Sequence, residues 1–132
     1  MKENFTACMS VILRYEGGYS NHPRDPWGVT LEGVIQRVYN GYRERKGLPH
    51  RALTADMRRA PEWIAERNDI YRLQYWNAVR GDELPLGVDL FLLDSAVNSG
   101  PFQAVKWLQR ALKLNLVDGH LGEGTMAALL AH

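Results

Sequence analysis

Apolar residues recur at helical spacing in several stretches of this chain, separated by clusters of turn-forming residues. Phe5, Cys8, Met9 and Ile12 make the first apolar stripe, and Glu16 falls four residues after Ile12 on the same face. Gly17-Gly18 then ends that helix, because glycine readily takes the left-handed conformation of a helix stop. Leu31, Val34, Ile35 and Val38 open a second stripe, which predicts a helix over residues 31–45. A break follows at Gly47-Leu48-Pro49-His50, after which Thr54 is placed to cap a short helix. Pro61 suits the first turn of a longer helix reaching Trp76, with Trp63, Ile64, Arg67, Ile70, Tyr71 and Gln74 on one face. Residues 81–87 read as a loop. Residues 86–97 are apolar nearly all round, which predicts a buried central helix. Asp89 and Asp94 inside it then need partners, and an ion pair or a cap contact is the plainer reading than catalysis. Val105, Leu108, Leu112 and Leu116 form the apolar side of the next helix, and residues 122–132 make the last. The pattern predicts a mainly α fold, with a turn-rich or β-hairpin segment around residues 18–30.

That segment carries the densest chemistry. Ser20-Asn21-His22-Pro23 and Asp25-Pro26-Trp27-Gly28 are two successive turn signals, since proline pre-sets φ and glycine permits positive φ. A compact loop here turns Asp25 back towards Glu16, with Thr30 just beyond. Two carboxyl groups held apart by a rigid turn suit glycoside hydrolysis, in which one donates a proton and the other assists a water. Burial and the negative end of the helix dipole both push the pKa of a Glu16 carboxyl upward, towards that of a general acid. Each residue also has a plainer reading. Glu16 alone is equally a fraying residue beside a Gly-Gly cap, Asp25 an Asp-Pro turn initiator, and Thr30 the N-cap of the following helix.

Composition narrows the field. With 132 residues, 45% of them hydrophobic, the chain builds one compact core or one core with a small appended unit. A net charge of +1 argues against a nucleic-acid binder. Residues 37–59 are nevertheless basic, with Arg37, Arg43, Arg45, Lys46, Arg51, Arg58 and Arg59 against Glu44 and Asp56. Such a run steers a protein towards an anionic polymer or is a solvated surface, and the second is the more common. Cys8 is the single cysteine, which excludes an intrachain disulfide and a thiolate metal site and suits a small core residue. His22, His50, His120 and His132 lack metal-ligand spacing, and no phosphate-binding glycine loop is present, so neither metal nor cofactor is expected. Charged residues interrupt the first apolar stretch, which is neither a signal peptide nor a membrane span.

The run Glu16-Gly17-Gly18-Tyr19, Asn21-His22-Pro23, Asp25-Pro26, Gly28, Thr30 and Gly33 resembles the glycoside hydrolase 108 family of lysozyme-like N-acetylmuramidases. Tyr71, Tyr75-Trp76, Leu84-Pro85, Gly87-Val88-Asp89 and Asp94 to Gly100 are similar to the family's central helix. Ala104, Leu108-Gln109, Ala111-Leu112, Asp118-Gly119, Leu121-Gly122 and Thr125 resemble the peptidoglycan-binding half found with it. The resemblance implies a lysozyme-like helical fold, with a catalytic part over residues 1–98 and a peptidoglycan-binding-like part over residues 99–132 packed on it. It implies cleavage of the β-1,4 bond between N-acetylmuramic acid and N-acetylglucosamine, with Glu16 as acid. The order Glu16, Asp25, Thr30 is similar to the Glu, Asp, Thr arrangement of phage-type lysozymes, although the Asp-to-Thr interval is one residue shorter. Trp27 stands where the family carries glycine, and Gln36 where it often carries threonine. Tyr19, Trp27 and Asn98 are the candidate substrate-binding residues; Trp27 equally fills a turn, and Asn98 equally ends a helix.

A monomeric, endolysin-like enzyme is expected, made in the cytoplasm without a signal peptide and acting on peptidoglycan in the periplasm or cell wall. Passage then depends on a holin or a secretion machine, with no stable membrane insertion. Family members often continue beyond the position of His132, so the chain is expected to be truncated or a short variant. A lytic transglycosylase and a non-catalytic wall-binding or regulatory module are the alternatives.

Overall fold

A computed structural model describes residues 2–15, 17–21 and 28–132. Among them are six α-helices and a small three-stranded antiparallel sheet, as in a lysozyme-like fold. The chain forms two compact units, one of residues 9–71 and one of residues 1–8 with 72–132. Helix α1 (Phe5–Tyr15) begins in the second unit and ends in the first.

In the 9–71 unit, β1 (Tyr19–Ser20) pairs antiparallel with β2 (Thr30–Leu31), which pairs with β3 (Val34–Ile35). Helices α2 (Gln36–Arg45) and α3 (Pro61–Tyr71) follow, with a 3-10 turn over Ala55–Arg59 between them. The stripe predicted as the start of a helix is therefore a hairpin up to Ile35. Its cause is local: Glu32 and Gly33 have φ of 49° and 84°, and positive φ at both central positions makes the tight turn that joins twisted strands. Leu31 and Val34 are buried by pairing across that turn rather than by lying on a helix face. Thr30 accordingly sits in a strand and is no helix cap; Ile35 occupies the N-cap position of α2. Met9, Ile12, Tyr39, Trp63, Ile70 and Tyr71 complete this core, with the Tyr39 and Trp63 rings edge to face at 5.2 Å.

The other unit is built on α4 (Val88–Ser99), α5 (Pro101–Ala111) and α6 (Glu123–Ala131). Leu92 and Ala96 of α4 share one core with Ala104, Val105 and Leu108 of α5, Leu121, and Met126 and Leu129 of α6. The helix predicted to reach Trp76 changes pitch after Tyr71: Arg72–Trp76 is a π turn, in which the Asn77 amide bonds to the Arg72 carbonyl five residues back. Trp76 is fully buried with its ring edge on Phe5, and its indole N–H donates to Asp82. Two apolar expectations are corrected here. Leu86, which precedes α4, is 71% exposed, and Phe91 on α4 is 52% exposed, so α4 is buried on one side only. Leu116 is 70% exposed, because α5 stops at Ala111 and Lys113 turns left-handed at φ 58°.

Asp89 meets its predicted need for a partner through cap contacts. Its carboxylate is wholly buried and accepts hydrogen bonds from Asn4 Nδ2 and from the Gly87 and Leu90 amides. Burial raises its pKa, but hydrogen bonding, from Asn4 foremost and from the Leu90 amide as well, outweighs burial and holds it below the usual carboxylate range. A carboxyl depressed in the folded state contributes stability above its unfolded pKa and loses it as pH falls through the folded one. Acid titration of urea stability is therefore expected to fall less steeply below about pH 5 in Asp89→Asn than in the parent. Cys8 is buried, and burial followed by the nearby Asp89 charge pushes its thiol up to about 11.

Candidate active site

The sheet brings together the described residues on either side of positions 22–27. Tyr19 is opposite Leu31 and Ser20 opposite Thr30. The Glu32 amide donates to the Gly18 carbonyl at 2.9 Å, and the Gln36 amide to the Val29 carbonyl at 2.9 Å, extending the clamp on both sides. Side chains alternate along a strand, so Thr30 faces away from the buried Leu31 and shares its face with Ser20 and Ile35. Tyr19 is 39% exposed. Glu16, Asp25 and Trp27 lie outside the described residues. Asn98 belongs to the other unit, where it is exposed at the end of α4 and donates to the backbone and side-chain oxygens of Asp94.

The turn after Thr30 is fixed by residues that its local sequence does not mark. Glu32 is buried, and its Oε1 accepts from Trp63 Nε1 at 2.8 Å and from Arg67 Nη1 at 3.0 Å. Tyr71 donates its hydroxyl to the Glu32 carbonyl at 2.8 Å. Helix α3 thus grips both the backbone and the side chain of the β2–β3 turn. Gln36, the departure from the family's threonine, has a complete set of partners: Nε2 donates to Asn40 and to the Arg51 carbonyl, and Oε1 accepts from the Leu53 amide. It ties the start of α2 to the following loop.

A cavity of about 490 Å³ opens beside this turn, lined by Glu32, Ala55, Asp56, Arg58 and Arg59. Arg58 reaches over Gly18, where a Cβ would stand 3.0 Å from its Nη1. The basic run itself divides. Arg43, expected on a solvated surface, is only 4% exposed and pairs with Glu66 at 2.9 Å, while Tyr39 donates to the same carboxylate. Arg51 pairs with Glu62 and Lys46 with Asp69. Among the described residues no three His, Cys, Asp or Glu side chains converge on a metal position, and no helix is long and apolar enough to cross a membrane.

In the other unit a second cavity, about 380 Å³, lies along Gln109, Leu116, Asp118, His120 and Thr125. Gln109 is buried and donates to Asp118, the His120 carbonyl and Thr125, and it accepts from the Gly119 amide. The motif resembling a peptidoglycan-binding half therefore uses Gln109 and Thr125 to hold its own loop. Hydrogen bonds from Gln109 and then from the His120 amide hold the Asp118 carboxyl below the usual range.

The glycosyl hydrolase 108 family model matches residues 9–100. The chain belongs to the glycosyl hydrolase 108 family. This family-108 protein is also similar to the solved structure of Brucella abortus SagA, with 37% identity and a TM-score of 0.72 over 100% of this chain and 71% of SagA. No curated protein matches it. The family makes it a glycoside hydrolase acting on peptidoglycan.

Proposed function

We propose that this family-108 hydrolase is an N-acetylmuramidase, cutting the β-1,4 bond on the reducing side of N-acetylmuramic acid. Glu16 protonates the glycosidic oxygen, while Asp25 with Thr30 positions a water on the opposite face of the sugar. The observation that supports it is the pairing of Ser20 with Thr30, which holds the described residues on either side of positions 22–27 next to each other. Asp25 lies between those two strands in the sequence, and β1 follows Glu16 by three residues. Direct attack by water requires the two carboxyl groups to stand about 6.5–9.5 Å apart and inverts the anomeric centre. Tyr19 and Trp27 are proposed to contact the sugars. Residues 99–132, beside the second cavity, are proposed to hold the wall. Asn98 is proposed to donate a hydrogen bond to an acetamido group.

An endolysin-like role in prophage lysis accords with this chemistry: synthesis in the cytoplasm, passage by a holin or secretion machine, and action as a monomer at the wall. Proton NMR of fresh digests tests the mechanism. The α-anomer is expected first; a first-formed β-anomer, together with full activity in Asp25→Asn, overturns the role given to Asp25.

A further inference from the structure

Of the residues lining the cavity beside the β2–β3 turn, two are cations with no acid partner among the described residues. Arg43, Lys46 and Arg51 face Glu66, Asp69 and Glu62, whereas Arg58 and Arg59 have no carboxylate partner among the described residues. Both are exposed on the 3-10 turn Ala55–Arg59, and both line the cavity. Its acids are differently placed. Glu32 is buried and committed to Trp63 and Arg67, while Asp56 is exposed. Arg58 also lies over Gly18, two residues past Glu16 in the chain, so this charge sits beside the segment that leads out of the proposed acid.

The glycan of peptidoglycan is largely neutral once its amino groups are acetylated; its carboxylates, and any free ammonium, lie on the peptide stem of muramic acid. Arginine presents a planar fork that matches a carboxylate with two hydrogen bonds, which a point charge does not. Simple steering requires only net charge, and the chain as a whole carries +1. A concave site of about 490 Å³, with two guanidinium groups that no described carboxylate pairs and one exposed acid, instead matches a short zwitterionic peptide.

We propose that this cavity is a subsite for the muramic-acid peptide stem, in which Arg58 and Arg59 take its carboxylates and Asp56 faces its ammonium group. This rests on the muramidase reading, but its test does not need catalysis. Calorimetry of the full chain with a soluble disaccharide tetrapeptide, and with the same disaccharide lacking the peptide, measures the preference. Binding of the stem-bearing ligand is expected to be about tenfold tighter or more, given the strength of charge-assisted hydrogen bonds, and to weaken with salt. In the double variant Arg58→Gln/Arg59→Gln that preference is expected to fall to near one. Thermal melting confirms that the variant is folded. Equal affinity of the parent for the two ligands overturns the proposal. So does a preference that survives in the double variant, or a loss that is the same for both ligands. Failure of the parent to release reducing sugar ends from sacculi overturns the muramidase reading instead and leaves the calorimetric comparison standing.

Discussion

Glu16→Gln is expected to lower glycan cleavage by about 10²- to 10⁴-fold, the range that general acid catalysis contributes. The substitution keeps the size of the side chain and removes the proton that the leaving sugar needs. Met9 and Ile12 are 2% and 1% exposed, and Glu16 stands four positions after Ile12 in the sequence. The role proposed for Glu16 requires a carboxyl group that keeps its proton near neutral pH. Reducing-end release from purified sacculi measures the effect, with binding to the same sacculi as the control. Lysis at the parental rate removes Glu16 from the role of acid.

Glu32→Ala is expected to destabilise the fold by about 3–5 kcal/mol, the cost of leaving one member of a buried ion pair without its partner. Arg67 is 8% exposed and loses its carboxylate, and the buried Trp63 indole N–H loses its acceptor. Glu32→Gln retains an acceptor for Trp63 but not the charge for Arg67, so an intermediate loss is expected. Urea unfolding measures both. A loss below about 1 kcal/mol in Glu32→Ala, the level of an exposed ion pair, contradicts the anchoring assigned to this turn. Because the turn follows Thr30 directly, activity is expected to fall in Glu32→Ala even at temperatures where the protein remains folded.

Most helices were legible because their apolar residues follow the helical period and their ends carry glycine or proline. Phe5, Cys8, Met9 and Ile12 are all buried, and Pro61 and Pro101 open α3 and α5 as first-turn prolines do. The hairpin at residues 30–35 was not legible. Leu31, Val34 and Ile35 satisfy a helical stripe as well as two short strands, and the turn is Glu-Gly rather than the Asn-Gly or Asp-Gly that marks such hairpins. Gly33 between two β-branched pairs was the available signal. Glu32 was missed for a different reason: its partners Trp63 and Arg67 lie in α3, thirty-one and thirty-five positions away, and no local pattern encodes that pairing. The all-round apolar character of residues 86–97 hid the exposure of Leu86 and Phe91, because hydrophobicity alone does not say which side of a helix finds a partner. In the same way the basic run read as one feature. Only the positions of Glu62, Glu66 and Asp69 separate Arg43, Lys46 and Arg51, which pair with them, from Arg58 and Arg59. The acid pair rests on motif and spacing alone, since Glu16 and Asp25 lie outside the described residues.

Mass spectrometry of borohydride-reduced muropeptides released from sacculi by the full chain tests the central claim most directly. Soluble fragments ending in reducible N-acetylmuramic acid are the predicted product. Fragments ending in 1,6-anhydro-muramic acid or in reducible N-acetylglucosamine, or sacculi that bind the protein and release nothing, contradict it.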